Sequence, residues 1–204
     1  MVTNQYHIFE DVIEKDICDK IKDKTNEEWE SASTMDETWD EEEGWIVEEK
    51  PDLKSRISSI AWSEDVWLYD VIWPYMLEAN EESGWKYNIQ NAEAMQITKY
   101  EKGGFYGFHT DGRGDYLSIY NNPDTPEIDG YVRKLSMSIS LNKDFEGGAF
   151  QFASYSNEKC EIETVEVSMG SIIVFPSFLE HRVEPVTKGT RYSVVTWFTG
   201  PPFV

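Results

Sequence analysis

The chain has 204 residues, with 39 acidic against 18 basic side chains and a formal net charge of −21. Such a charge repels phosphate backbones and anionic lipid headgroups, so neither nucleic acid nor a membrane surface is an expected partner. Hydrophobic residues make up 40% of the chain and aromatic residues 14%, enough for the buried core of one domain. The sequence shows neither a signal-like apolar segment nor a long apolar run, which favours a cytoplasmic location. It leaves the oligomeric state open.

The N-terminal part, residues 1–84, is predicted to be a helical region that supports the rest of the domain. Ile13, Ile17 and Ile21 recur every four positions and would share one face of a first helix. The acidic stretch 35–50 is predicted to be a loop that contains one short strand.

Two further helices are predicted before residue 85. They cover residues 52–62 and 64–73. Pro74 is expected to end or kink the second helix, because it lacks a backbone N–H, and Gly84 to close the region as a C-terminal cap.

From residue 85 the pattern changes to short runs rich in β-branched and aromatic residues, separated by glycine, proline or asparagine. These runs cover residues 85–90, 92–100, 134–142, 148–153, 160–168, 171–176 and 191–198. We therefore predict a mainly β, α+β protein in which residues 1–204 form a single domain, with the helical support at 1–84 and the β core at 85–204. Residues 112–133, rich in Gly, Asn, Asp and Pro, are predicted to be a long loop that closes over a site.

The stretch GFYGFHTDGRGDY at 104–116 contains a candidate metal site. His109 and Asp111 stand two residues apart, so in a strand both side chains would face the same side. With His181 they would make a set of two imidazoles and one carboxylate, the facial arrangement that suits non-heme Fe(II). A hydrogen-bonded His–Asp pair is the alternative interpretation.

A candidate anion site lies further along the chain. Arg191 follows His181 by ten positions, and if the two residues lie on adjacent antiparallel strands both can face one cavity. Arginine offers a fixed fork of donors to a carboxylate, and Ser193, on the same side of the strand, can donate a further hydrogen bond. The alternative is a structural arginine paired with one of the many acidic residues.

The run KLSMSISLN at 134–142 has two different faces. Ser136, Ser138 and Ser140 share one face, and the residues between them form an apolar face expected to pack against the helices. The serines either line a cavity or face solvent. Tight turns are predicted at Gly147–Gly148 and at Gly170, the latter before the segment that leads to His181.

Together these residues resemble the Fe(II)- and 2-oxoglutarate-dependent dioxygenases, and within them the prolyl 4-hydroxylase-like group. The resemblance covers about residues 90–198 and is carried most specifically by HRVEPVTKGTRY at 181–192. It implies a double-stranded β-helix, a jelly-roll core supported by helices. The cofactors it implies are Fe(II), 2-oxoglutarate as co-substrate and O₂, with ascorbate as a further candidate.

The resemblance also implies roles for individual residues. His109, Asp111 and His181 match the iron ligands and thus the catalytic centre. Arg191 matches the basic residue that pairs with the distal carboxylate of 2-oxoglutarate, although many relatives carry lysine there. Tyr100 matches a tyrosine that hydrogen-bonds the same co-substrate.

Three more positions follow from the same match. Ser136 stands where a small hydroxyl residue contacts the co-substrate, whereas some relatives have tyrosine at the position of Ser140. Tyr106 and Trp197 match aromatic positions on the substrate side. Residues 112–133 match nothing in the family.

The implied reaction is hydroxylation of an unactivated C–H bond, with succinate and CO₂ as co-products. A prolyl residue of a peptide or protein is the expected substrate, since Tyr106 and Trp197 would offer flat walls to a pyrrolidine ring. The alternatives are the same chemistry on a free amino acid or another small metabolite, a non-catalytic metal-binding jelly-roll, and a zinc hydrolase.

Overall fold

The computed structural model describes residues 4–24, 29–40, 44–50, 52–112, 118–121, 125–156 and 159–203. Two helices lie in these ranges, α1 (Lys15–Lys24) and α2 (Val66–Glu82). Neither is long and apolar enough to cross a bilayer. The remaining regular structure of these ranges is β.

The described strands are numbered in chain order. They are β1 (His7–Phe9), β2 (Glu30–Ser31), β3 (Thr34–Asp40), β4 (Gly44–Lys50), β5 (Arg56–Ile57), β6 (Ser59–Ser63), β7 (Asn91–Ala92), β8 (Met95–Tyr100), β9 (Phe105–His109), β10 (Val132–Ser140), β11 (Phe145–Gly147), β12 (Phe150–Ser156), β13 (Lys159–Val165), β14 (Ile172–Pro176), β15 (His181–Val183), β16 (Val186–Gly189) and β17 (Arg191–Gly200).

Two antiparallel sheets form the body of the molecule. The major sheet has the order β1-β14-β10-β17-β8-β6-β2, with β7 paired to β17. The minor sheet has the order β13-β12-β15-β9-β5. The strands β11 and β16 form a separate pair, and β3 and β4 form a hairpin.

A first apolar core lies between the helices and the outer face of the major sheet. Leu135, Met137 and Ile139 of β10 pack there with Ile72 and Met76 of α2. All five side chains are almost inaccessible to solvent. The predicted packing of the apolar face of this strand against the helices is therefore confirmed.

A second core lies between the two sheets. Phe152 of the minor sheet and Phe175 of the major sheet meet edge to face, with ring centroids 5.1 Å apart. Val183 and Tyr100 belong to the same cluster. Two antiparallel sheets packed face to face, with helices on the outside of one of them, make a jelly-roll, so the predicted fold class is confirmed.

The N-terminal part is less helical than the sequence pattern predicts. Residues 52–62 form β5 and β6 rather than a helix, because β6 is paired along its length with β8 of the major sheet. Within the stretch 35–50, residues 35–40 and 44–50 lie in the paired strands β3 and β4 rather than in a loop with one short strand. Here tertiary pairing overrides the local pattern. The single domain and its division at residue 84 stay predictions.

The two predicted helices that do form differ from expectation at their ends. Helix α1 begins at Lys15, so Ile13 precedes it. Helix α2 continues through Pro74. Pro74 lies on the exposed face of the helix, where water can reach the carbonyl group that loses its N–H partner. Gly84 has a φ of 72° just beyond the helix, as expected of a residue that follows a C-terminal cap.

The predicted turns and the predicted loop have different outcomes. Gly147, Gly148 and Gly170 all have positive φ. At Gly170 a Cβ atom would lie 2.2 Å from the carbonyl oxygen of Ile13, so no larger residue fits there. The loop predicted at 112–133 ends two residues earlier than expected, because β10 begins at Val132. Residues 113–117 and 122–124 lie outside the described ranges, and residues 85–90 form no strand.

Candidate active site

Two neighbouring strands of the minor sheet bring the three candidate metal ligands together. His109 ends β9 and His181 begins β15, and the two are register partners. Asp111 follows β9 in a bend, where its backbone N–H donates to the carbonyl oxygen of Ser177 at 2.8 Å. The expected placement of both ligands within one strand is therefore wrong for Asp111, but the three side chains still converge.

The ligand atoms face one point. Nε2 of His109 lies 3.6 Å from Oδ1 of Asp111, and Nε2 of His181 lies 3.6 Å from Oδ2. The candidate ligand atoms of all three residues lie within 4.8 Å of one another. Ligands that bind one ion at about 2.0–2.2 Å are spaced in this way.

Hydrogen bonds behind the histidines prepare them to bind a metal ion. Nδ1 of His109 lies 2.8 Å from the carbonyl oxygen of Gly107, and Nδ1 of His181 lies 2.8 Å from that of Leu179. Since a carbonyl only accepts, each Nδ1 carries a proton, and in a neutral imidazole this leaves the Nε2 lone pair for a metal ion. Oδ2 of Asp111 is buried and has no hydrogen-bond partner in the described part of the chain. Two free imidazole nitrogens and an unpaired carboxylate oxygen fit a divalent metal ion.

The charges of these groups suit the same purpose. Burial, reinforced by the neighbouring His181, lowers the pKa of His109 to about 3, so this imidazole is neutral. Burial by itself would raise the pKa of Asp111, but the nearby histidines outweigh it and the pKa lies below its ordinary value. A neutral imidazole beside an ionised carboxylate is the protonation state that metal binding needs.

Arg191 begins β17, with its side chain on the inner face of the major sheet. Only 2% of this residue is exposed, and its Nη1 donates to Oγ of Ser193 at 2.9 Å. Tyr100 is its register partner on β8, with the guanidinium carbon 5.5 Å from the ring centroid. Among the described residues no carboxylate lies within ion-pair distance of Arg191. Burial lowers the pKa of its guanidinium group, and a bound anion would compensate that cost.

One prediction about Arg191 is wrong. His181 and Arg191 do not lie on adjacent strands, since β15 belongs to the minor sheet and β17 to the major sheet. The two sheets pack face to face, so both residues belong to buried strands on either side of the second core. The alternative of a structural ion pair finds no support in the described residues.

The serine face of β10 is directed inward. Ser136, Ser138 and Ser140 are all buried, so they do not face solvent. Oγ of Ser136 donates to Oγ of Ser177 at 3.0 Å, close to the backbone that holds Asp111. Ser140 and Ser193 are register partners, which places both hydroxyl groups on the face that carries Arg191.

Two polar residues of this inner face escaped the sequence analysis. Gln96 and Thr98 of β8 are buried, and Nε2 of Gln96 donates to Oγ1 of Thr98 at 3.0 Å. They alternate with apolar residues and share the face of Tyr100, so counting back in steps of two from Tyr100 would have found them.

The predicted substrate residues lie on two sides of the triad. The ring of Tyr106 stacks on that of His109, with centroids 3.5 Å apart. The guanidinium carbon of Arg56 lies 4.5 Å from the centroid of the Tyr106 ring. Burial raises the pKa of Tyr106 to about 12, so its hydroxyl group keeps its proton. Trp197 is the register partner of Ser136, and its Nε1 is buried without a hydrogen-bond partner in the described residues.

A buried ion pair supports Trp197, and sequence reasoning missed it. The guanidinium carbon of Arg133 lies 3.9 Å from the Trp197 ring centroid. Arg133 donates to both carboxylate oxygens of Glu93, at 2.7 and 2.6 Å, and the hydroxyl group of Tyr120 donates to the same carboxylate at 2.6 Å. Tyr120 lies in the segment predicted to be a lid, so this described part of the segment is tied to the rim of the site.

Curated relatives match the core of the chain. A PKHD-type hydroxylase of Synechococcus sp. (strain JA-2-3B'a(2-13)) is 33% identical over 104 residues, which are 51% of this chain and 42% of that protein. A PKHD-type hydroxylase of Thermosynechococcus vestitus is 36% identical over 109 residues, 50% of this chain and 41% of that protein. The chain thus spans about two fifths of the length of these relatives.

Solved structures share the fold over nearly the whole chain. The viral collagen prolyl hydroxylase of Paramecium Bursaria Chlorella virus-1, in complex with 2-oxoglutarate, superposes with a TM-score of 0.63 at 17% identity and covers 97% of both chains. A prolyl-4-hydroxylase of Pseudomonas putida superposes with a TM-score of 0.62 at 18% identity, over 96% of this chain and 92% of that one. These likenesses confirm the prolyl 4-hydroxylase-like fold.

The family model of the 2OG-Fe(II) oxygenase superfamily matches residues 95–199 of the chain. This range contains the triad, Arg191 and every other residue assigned above to the inner face of β8, β10 and β17. The chain belongs to the 2OG-Fe(II) oxygenase superfamily.

Proposed function

We propose that this protein is an Fe(II)- and 2-oxoglutarate-dependent hydroxylase that acts on a prolyl residue of a peptide or protein. One observation carries the proposal. Two imidazole nitrogens and a carboxylate oxygen without a hydrogen-bond partner among the described residues converge on one point of the minor sheet, and the facing major sheet holds a buried arginine with no carboxylate partner among those residues. A metal ion and a dianionic co-substrate would satisfy both sets of groups.

His109, Asp111 and His181 would hold Fe(II), which would supply O₂ activation coupled to the oxidation of 2-oxoglutarate to succinate and CO₂. One oxygen atom of O₂ enters succinate and the other enters the hydroxylated product. The chain itself contributes position. Arg191 and Ser193 would donate to the distal carboxylate of 2-oxoglutarate, and the ring of Tyr100 lies beside the guanidinium group.

The proposed substrate rests on the two aromatic walls. Tyr106 and Trp197 offer flat apolar surfaces, which suit a pyrrolidine ring, and the unpartnered Nε1 of Trp197 can donate to a peptide carbonyl. Structural neighbours are prolyl hydroxylases, and the one from Trichoplax adhaerens is in complex with a peptide fragment of hypoxia inducible factor. A cytoplasmic location, use of ascorbate and the absence of nucleic-acid or membrane partners stay predictions.

The ligand set is tested by anaerobic addition of Fe(II) and 2-oxoglutarate. We expect a weak visible charge-transfer absorption in the wild type and none in His109→Ala. An unchanged absorption in His109→Ala, or full turnover of 2-oxoglutarate by that variant, would show that the ligand assignment is wrong.

The substrate is tested by mass spectrometry of peptides that contain a single proline, with free proline and other amino acids as a parallel panel. We expect a peptide to gain the mass of one oxygen atom in a reaction that consumes 2-oxoglutarate. If only free amino acids are oxidised, the substrate is a small metabolite and not a peptide. Metal binding without any turnover would indicate a non-catalytic module.

A further inference from the structure

A groove that opens beside the triad has no role in the function proposed above. It has a volume of about 580 Å³ and is lined by residues from the chain start, the segment after α2, the segment after β9, β12 and the β14–β15 connection. This volume falls within the roughly 300–1,000 Å³ typical of ligand sites. The lining residues are Asn4, Gln5, Trp85, Tyr87, Thr110, Ala153, Ser154, Tyr155, Pro176, Phe178, Leu179 and Glu180.

The groove adjoins the triad at two points of the chain. Thr110 stands between His109 and Asp111, and Glu180 directly precedes His181. Neighbouring Cα atoms are about 3.8 Å apart, so the same two backbone segments form part of the groove wall and carry the triad.

The lining is mostly aromatic and apolar. Tyr155 and Phe178 are 69% and 41% exposed, which is unusual for large rings of a folded domain. Trp85 and Tyr87 provide two further rings on the other side. Grooves lined by aromatic side chains bind extended, proline-rich segments, whose backbone is already close to the bound conformation.

The walls of the groove are held in place by hydrogen bonds. Nε1 of Trp85 donates to the carbonyl oxygen of Asn4 at 3.1 Å, and the N–H of Ala153 donates to that of Glu180 at 2.9 Å. The hydroxyl group of Tyr155 donates to Oε2 of Glu180 at 2.6 Å. A groove formed in advance costs little conformational entropy on binding.

The charge of the groove has one sign. Among the described residues, Glu180 is the only acidic or basic side chain in the lining, and the exposed Glu161 is the register partner of the lining residue Ser154. With a net charge of −21 on the whole chain, a cationic group is favoured here over an anionic one.

We propose that this groove binds the part of a peptide substrate that flanks the hydroxylated residue, an extended, proline-rich segment with a basic side chain directed at Glu180. The inference rests on the proposed peptide hydroxylation and adds its sequence preference. The basic side chain pairs with the Glu180 carboxylate, and the apolar residues before it contact Phe178 and the facing rings.

The test uses fluorescein-labelled peptides with one target proline and a flank of Pro-Leu-Lys, Pro-Leu-Glu or Gly-Gly-Lys, on either side of the target. Binding to the iron-free protein is measured by fluorescence polarisation, and KM and kcat by turnover of the iron-loaded protein. We expect the Pro-Leu-Lys flank to bind best. Phe178→Ala should weaken it about tenfold, which is about 1.4 kcal/mol, with kcat unchanged. Glu180→Lys should reverse the preference between the Lys and Glu flanks.

Leu77→Ala is the matched control, since Leu77 is 51% exposed on α2 and lies outside the groove. It should bind all peptides like the wild type. The charge-transfer absorption with Fe(II) and 2-oxoglutarate verifies that Glu180→Lys leaves the neighbouring His181 intact.

The outcomes separate the groove from the reaction. Hydroxylation that does not depend on the flank would contradict the groove proposal but not the proposed function. Equal hydroxylation by the wild type, Phe178→Ala and Glu180→Lys would have the same meaning. Flank-dependent polarisation without any hydroxylation would support the groove and contradict the function. If the wild type binds all three peptides with equal affinity, the groove proposal is wrong.

Discussion

Two arginines of the major sheet, the buried Arg191 of β17 and the largely buried Arg133 of β10, have opposite surroundings. Arg133 on β10 lies between the Trp197 ring and both oxygens of Glu93. Arg191 on the neighbouring strand β17 has a serine hydroxyl and a tyrosine ring but no carboxylate among the described residues. Both charges are removed from water, but only one is neutralised by the protein.

The pKa values follow this difference. Burial alone would lower the pKa of Arg133, but the Glu93 carboxylate raises it above its ordinary value. Burial lowers the pKa of Arg191, where no acid compensates. In a chain with 39 acidic residues, a buried arginine left without an acid indicates a site for an external anion. Arg133 by contrast belongs to the scaffold.

The largest effect on stability is expected at the rim. Arg133→Met leaves the Glu93 carboxylate buried without its cation, so the free energy of unfolding should fall by about 3–5 kcal/mol. Urea denaturation of the iron-free protein measures it. Adding Glu93→Gln should recover part of the loss. Unchanged stability of Arg133→Met would contradict the structural role of the pair.

Substitution of Arg191 should have the opposite effect, on co-substrate affinity rather than on stability. Arg191→Gln should weaken 2-oxoglutarate binding by about 2–5 kcal/mol, because the distal carboxylate would lose its charged partner in a buried site. The free energy of unfolding of the iron-free protein should not fall, since no acid is left unpaired. Titration of the iron-loaded protein under anaerobic conditions measures the affinity. Arg191→Lys, which keeps the charge, is the control and should retain much of it. A large loss of stability in Arg191→Gln would show that Arg191, like Arg133, has a structural role.

A smaller effect is expected where the segment after Asp111 meets the rim. Tyr120→Phe removes one hydrogen bond to Glu93 but leaves both bonds from Arg133, so the free energy of unfolding should fall by about 1 kcal/mol. Binding of 2-oxoglutarate should not change, because Arg191 is not involved. Parallel urea and co-substrate titrations of this variant test both statements.

The smallest effect at neutral pH is expected for a more exposed pair away from the site. Burial and the hydrogen bond to Glu163 raise the pKa of Tyr6 from 10.0 to about 12. Between these values the folded chain keeps a proton that the unfolded chain loses, so this contribution to stability is present below pH 10 and is lost as the pH rises toward 12. Tyr6→Phe should make the decline of stability in this window less steep, and pH-dependent urea titrations measure the slope. An identical slope in wild type and Tyr6→Phe would exclude this contribution.

The sequence was most informative where chemistry and strand alternation coincide. His109, Asp111, His181 and Arg191 could be selected because histidine is rare in this chain and because their spacing matches a known family. The two faces of β10 followed from the period of two, which the packing of Leu135 and its neighbours confirms. Residues without such a pattern, such as Glu93 and Arg133, stayed unnoticed because they are separated in sequence and pair only in the folded chain.

Local patterns failed where distant partners decide the structure. Residues 52–62 have an apolar spacing that permits a helix, but pairing with β8 makes part of them a strand of the major sheet. His181 and Arg191 are near in sequence and were expected on adjacent strands, but they lie on opposite sheets.

By itself the sequence identified the candidate ligand set, the two alternating faces of β10 and the resemblance to the family, because each depends on residue type and short spacing. The tertiary structure decided that the serine face points inward, which charges of the described residues have partners, that Arg191 and the two histidines lie on different sheets, and that an aromatic groove opens at Thr110 and Glu180. These properties depend on contacts between segments far apart in the chain, and a linear pattern does not contain them.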